Sequence, residues 1–394
     1  MYWKNLDKIW VIVTHLAAAF LGAFLISFLF VDDVQYQDQK LYQLLDIIEN
    51  RFVEDANTTT LEDVAAYAMV KATGDQWSYY IPASQYQAHV ESTENIYVGV
   101  GATMDRKDDG SGLEVTELTE GGGAAEAGIQ LHDVLIRVDG KSCAGIELKE
   151  VTPWIRGEEG STVVLTVNRN GQELDFTVTR KRVEIPVATY EMLPSGYGLV
   201  TIENFEARAS EETLEAIDAL MEQGAKGLIF DVRFNPGGYT TELVKILDYL
   251  LPEGPLFRRE SYDGQTSVDY SDAQCVDLPM AVLANKSSYS AAEFFAAALQ
   301  EYDAAVVVGE QTTGKGYYQN TFRLVDGSAV AISTGKYFTP KGESLAGVGV
   351  MPDVPVKLDQ ESSDALDQGI LEREKDLQLQ AAVALLSKKL IISR

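Results

Sequence analysis

The sequence predicts an α/β protein with an N-terminal transmembrane helix, a helical neck, a β-rich domain and then a layered α/β core. Three observations carry this. An uninterrupted apolar run opens the chain, short β-rich runs broken by glycines fill residues 97–183, and from about Pro186 onward apolar strands alternate with helices. At 394 residues the chain exceeds what one core usually organises, so several compact units are expected. The expected divisions are 1–32 for a cytoplasmic tip and anchor, 33–93 for a helical region, 94–183 for the β-domain, 184–358 for the α/β core and 359–394 for a closing helical region.

Residues 9–31, "IWVIVTHLAAAFLGAFLISFLFV", contain no Asp, Glu, Lys or Arg. At about 1.5 Å per residue such a run reaches roughly the 30 Å of a bilayer core. A cleaved signal peptide is the alternative, with residues 17–19 as a small-residue cleavage site, but the apolar run continues past it through Phe20, Phe24, Phe28 and Phe30. An uncleaved single span is therefore the expectation. Lys4 and Lys8 precede it and Asp32 and Asp33 follow it, which places the remainder of the chain on the extracytoplasmic side of the cell membrane.

In the neck, "LYQLLDIIENRF" sets Leu41, Leu44, Leu45, Ile48 and Phe52 on one helical face. The next stretch, "TLEDVAAYAMVKAT", offers Thr60 as a cap, with Glu62 and Asp63 in the first turn. The formal charge of -28 and the lack of a basic cluster argue against nucleic acid as a partner. Cys143 and Cys275 are too few for a disulfide framework and lack zinc-site spacing, and the sequence leaves open whether they meet. No metal, nucleotide or other cofactor is implied.

The β-rich runs are "YVGVGATM", "GLEVTEL", "DVLIRVDG", "STVVLTVNRNG" and "ELDFTVTRKR". Between them, "EGGGAAEAGIQLHDVLIRVDGK" resembles the body of a PDZ domain, with His132 where that family usually has a glycine. The resemblance implies that a C-terminal tail adds as a strand to a sheet edge, its carboxylate caught by the loop Tyr97, Val98, Gly99, Val100 and Gly101. In the core, "GYGLVTIENF", "GLIFDVR", "PMAVLAN" and "AAVVVGE" read as strands, and "SEETLEAIDALMEQ", "TTELVKILDYLL" and "SAAEFFAAALQEY" as helices.

Ser290 stands where a serine-rich turn meets a helix, near several unpaired N–H groups; by itself it reads as an N-cap or as a nucleophile. A nucleophilic serine needs a base, and the three histidines, His15, His89 and His132, all lie outside the segment that carries it. Lys315 can serve if apolar neighbours lower its pKa. The surrounding "GEQTTGKG" also approaches a phosphate-binding loop, although Gly316 stands where such a loop needs a Ser or Thr hydroxyl.

Together these segments resemble the carboxyl-terminal processing proteases, tail-specific serine peptidases with a Ser/Lys dyad and a PDZ domain ahead of a crotonase-like core. "SSYSAAEFFAAALQ" carries Ser290 at the nucleophile position, "VVGEQTTGKGYYQ" carries Lys315 at the base and Gln319 at the glutamine that positions it, and the two blocks place Ser290 and Lys315 25 residues apart. "LIFDVRFNPGG" matches the stretch whose backbone N–H, at Gly237 or Gly238, forms an oxyanion hole with that of Ala291. "GVGVMPDVPV" and "DLQLQAAVALL" match the end of the core and its closing helix, and Arg156 in "WIRGEEG" matches a regulatory arginine. The resemblance implies a serine endopeptidase acting on unfolded or C-terminal polypeptides, with a possible homo-oligomer or activating partner protein. Lys286, Ser287 and Tyr289 depart from the family pattern beside the nucleophile. The alternative is an inactive PDZ-bearing membrane scaffold.

Overall fold

The computed structural model describes residues 35–392. It divides into two compact units, residues 1–80 and 81–394. The first contributes the helices Gln35–Arg51 and Thr58–Ala72. The cap of the second helix is Asn57 rather than Thr60: the Asn57 carboxamide oxygen accepts from Thr60 N–H at 3.1 Å.

The expected transmembrane helix requires correction. No helix among the described residues is long and apolar enough to cross a membrane. The longest, Gln35–Arg51, has 17 residues and carries charges along its length, so it would span only about 26 Å. Residues 9–31, on which that expectation fell, lie outside the described residues.

Within the second unit, an antiparallel sheet runs in the order Ala102–Arg106, Leu113–Leu118, Val134–Val138, Thr162–Arg169, Gln172–Thr179. Alternate positions turn Leu113, Val115, Leu135, Leu165, Val167 and Val178 into one apolar core, covered by the helices Gly123–Ala127 and Leu148–Ile155. His132 sits at φ +67. A glycine meets no steric cost there, which is the reason one is usual in that turn.

The α/β core is a six-stranded sheet in the order Ala188–Met192, Gly198–Ile202, Leu228–Asp231, Met280–Ala284, Ala305–Gly309, Val354–Pro355, parallel apart from the first pair. Helices Ala209–Glu222, Thr240–Leu250 and Ala291–Glu301 cover one face, whose core includes Phe205, Phe230, Leu247 and Phe295. Leu379, Ala382 and Leu386 of helix Leu377–Ile392 pack on the other with Ile229, Ala281 and Leu283. A second antiparallel sheet joins the hairpin strands Gly254–Ser261 and Thr266–Ser271 to Tyr317–Arg323 and Ala329–Phe338. It carries the residues that follow Lys315.

One buried ion cluster ties the closing helix to the site. The Arg233 guanidinium, two residues past strand Leu228–Asp231, donates to both carboxylates of Asp231 and Asp376 and to Gln378 Oε1. Asp376 in turn accepts from the N–H groups of Gln378 and Leu379 at the start of the closing helix. Replacing Arg233 with Met leaves two buried carboxylates without their cation, so Arg233→Met is expected to cost about 3–5 kcal/mol in urea unfolding at neutral pH.

Candidate active site

The turns at the carboxyl ends of the parallel strands meet at Ser290. Strand Met280–Ala284 delivers residues 285–289, and Ser290 caps helix Ala291–Glu301 at φ 60, ψ -125. That backbone region is rare for a side chain other than glycine, so the surroundings must hold it. Ser290 N–H donates to Glu293 Oε2 at 3.0 Å, and Tyr289 N–H donates to Asn235 O at 3.1 Å. Behind it, Ser288 Oγ donates to Val232 O at 2.7 Å, tying the turn to the neighbouring strand end.

Glu293 does more than cap. It is fully buried, and its carboxylate also accepts from Gly314 N–H at 2.6 Å, Lys315 N–H at 2.8 Å and Thr312 Oγ1 at 2.5 Å. Burial pushes its carboxyl up, against the four hydrogen bonds that pull it down. This one side chain therefore joins the backbone of the Ser290 turn to that of the Lys315 loop. The same contacts dispose of the phosphate-loop alternative, since the N–H groups of Gly314 and Lys315 are already spent on a carboxylate. The flanking glycines have a packing reason instead. A Cβ on Gly314 would lie 2.9 Å from Val348 N, and one on Gly316 would lie 2.6 Å from Ala346 Cβ.

The Lys315 ammonium lies 5.8 Å from the centre of the Tyr289 ring, within cation–π range. Ser290 Oγ lies 2.8 Å from the hydroxyl of Tyr337, a phenol that burial pushes well up and so keeps neutral. Gln319 lies on strand Tyr317–Arg323, its amide donating to Tyr317 O at 3.1 Å and Ser333 Oγ at 3.0 Å.

The oxyanion candidates are close together. Gly237 sits at φ +87, and a Cβ there would lie 2.7 Å from Ser290 Cβ and 2.8 Å from Ala291 N. Only glycine fits. Its own N–H donates to Asn235 Oδ1 at 2.8 Å, while its carbonyl accepts from Phe205 N–H. Of the two glycines, Gly238 is thus the one whose N–H the Asn235 side chain does not claim. Asn235 is itself fully buried and donates to Ile202 O at 2.7 Å, so it braces the whole turn.

The first residues of the PDZ-like loop lie on a two-stranded sheet. Tyr97, Val98 and Gly99 belong to strand Ile96–Gly99, paired with Lys181–Glu184; Val100 O accepts from Ala124 N–H, and Gly101 turns the chain at φ +71. Arg156, at the end of helix Leu148–Ile155, holds its guanidinium 5.4 Å from the Tyr97 ring centre. Lys286 and Ser287 serve the turn through backbone groups: Lys286 O accepts from Thr313 Oγ1 and Ser287 N–H donates to Asn285 Oδ1.

Sequence reasoning missed Glu293, Asn235 and Tyr337. The Ser290-to-Glu293 spacing of a capping box was the available signal for the first; nothing local marks the other two. Glu293→Gln puts an amide N–H₂ where acceptors are needed, and a destabilisation of about 1–3 kcal/mol is expected. Hydrogen exchange should localise it, with faster exchange at the Gly314 and Lys315 amides.

Comparisons with known proteins agree with this architecture. Residues 196–356 match Peptidase family S41, and residues 114–169 match a PDZ domain. A "Probable CtpA-like serine protease" of Staphylococcus aureus (strain MRSA252) is 32% identical over 80% of this chain and 64% of its own length. The chain thus spans a little under two thirds of that relative. The solved structure titled "Putative S41 protease from Bacteroides fragilis NCTC 9343" matches with a TM-score of 0.51 at 17% identity, covering 82% of this chain and 90% of the other, which shows a shared fold. The structure of a photosystem II D1 C-terminal processing protease covers 86% of this chain and 92% of its own at 26% identity, with a TM-score of 0.49. Residues 196–356 of this chain thus carry the likeness to peptidase family S41, with a PDZ domain ahead of them.

Proposed function

We propose that this chain is a serine endopeptidase acting outside the cytoplasm on unfolded or C-terminal polypeptide tails, with Ser290 as nucleophile and Lys315 as general base. The observation that carries the reading is the Glu293 carboxylate, which brings the N-cap turn of Ser290 and the loop of Lys315 to one place. Ser290 Oγ attacks the scissile carbonyl carbon while Lys315 Nζ takes the hydroxyl proton. The carbonyl oxygen, now negative, is received by the N–H groups of Gly238 and Ala291. Lys315 then returns its proton to the leaving amine, and a water repeats the sequence in reverse to free the acyl product. Tyr337, bonded to Ser290 Oγ at rest, aims the hydroxyl before substrate arrives.

The Gln319 amide is the candidate that orients the lysine from the neighbouring strand, and Arg156 the candidate that links an occupied PDZ domain to the core. The tail would enter along the loop from Tyr97 to Gly101, where the Arg156 guanidinium already rests on an aromatic ring. The placement outside the cytoplasm is the expectation from residues 1–33, which lie outside the described residues.

Cleavage of an unfolded model protein with an apolar C-terminus is the test. Ser290→Ala and Lys315→Ala are each expected to lower the rate by roughly 10⁴-fold with circular dichroism unchanged. A wild-type chain that binds the tail and cuts nothing, even with candidate activating proteins added, would favour the scaffold alternative.

A further inference from the structure

Glu206 is placed beside the oxyanion glycines by the backbone that frames them. Phe205 N–H donates to Gly237 O and Tyr239 N–H to Phe205 O, each at 2.7 Å. A Cβ on Gly238 would lie 2.6 Å from Glu206 N, so the two segments are in close contact at the site. Glu206 Oε2 is buried without a hydrogen-bond partner, an arrangement that native structures rarely leave unexplained. Burial pushes its carboxyl up to about 7, against the charge of Lys315, which pulls it down.

The other groups around the pair are otherwise engaged. Glu293 faces the N–H groups of Ser290, Gly314 and Lys315, Tyr337 bonds Ser290, and Tyr289 presents its ring. On the segment of Glu206 itself, Arg208 is turned to Glu212 and to the carbonyls of Glu94, Asn95 and Ile185. Glu203, further back, feels burial and Asp231.

We propose that Glu206 is a positioning residue for Lys315 and an electrostatic brake on it, its carboxylate holding the lysine as an ammonium that cannot take the serine proton. The proposal rests on the Ser290/Lys315 reading above. The interaction is reciprocal: if the ammonium favours the ionised carboxyl, the ionised carboxyl favours the ammonium to the same extent. The base then becomes neutral only at a higher pH than its other surroundings set. Activity is thereby held down near neutral pH, and neutralising Glu206 releases it.

The test is the pH dependence of kcat/KM for the wild type and Glu206→Gln on the same unfolded substrate. The glutamine keeps the shape and removes the charge. The acidic limb of the profile is expected to fall by about one pH unit in Glu206→Gln, which is about a tenfold gain in rate on that limb. A limb that stays in place or moves up overturns the brake, whatever the height of the profile, because a merely structural residue changes height alone. A second readout does not need turnover: the Lys315 side-chain carbon followed by NMR titration in Ser290→Ala, with and without Glu206→Gln. A lower lysine pKa with the glutamine supports the proposal and an equal one overturns it. Should Lys315→Ala still cut, the base itself is lost and the brake with it, whereas a dead Lys315→Ala beside an unmoved limb removes the brake alone.

Discussion

The carboxylate of Glu293 is the constraint on which the site depends. It is buried, accepts from a hydroxyl and from three backbone N–H groups, and those donors belong to two loops that the chain separates. An anion so placed is expensive unless every lone pair is used, so the site tolerates little displacement of either loop. The rare backbone angles of Ser290 accompany this constraint, since the turn presents its N–H to Glu293. The cost is met by the helix behind it, whose Ala291, Ala292, Phe294 and Phe295 are packed into the main core.

The aromatic cluster under the serine ties chemistry to packing. Tyr337 is edge-on to Phe294 with ring centres 4.4 Å apart and is tilted against Phe257 at 5.4 Å. Its ring is thus a core residue and its hydroxyl a site residue. The second sheet reaches the hydroxyl of Ser290 through Tyr337. Arg233 and its two aspartates give the floor of the same turn a fixed position against the closing helix.

Much of this was legible in the residues. The strands and helices of the α/β core appear where alternating apolar runs placed them, because a buried parallel strand such as "LIFD" and an amphipathic helix such as "TTELVKILDYL" differ in period and length. The hairpin from Gly254 to Ser271 was not read, since its strands are half-exposed and carry charges at Arg258, Arg259 and Glu260. Asn57 was passed over as a cap in favour of Thr60 because both are cap formers, and only the backbone angle separates them. The membrane span expected from residues 9–31 has no counterpart among the described helices.

By itself the sequence determined the chemical inventory: a serine at a helix start, no histidine near it, a lysine between glycines, and a glycine pair after a strand. Those features are local and follow from composition and spacing. The tertiary structure alone decided which N–H groups are spent, that Gly237 must be a glycine because Ser290 and Ala291 occupy the space of its Cβ, and that Glu206 and Tyr337 stand at the site. Glu206 and Tyr337 lie 84 residues before and 47 residues after Ser290. Contacts over such separations depend on the order of strands in the sheets, which no short stretch of sequence encodes.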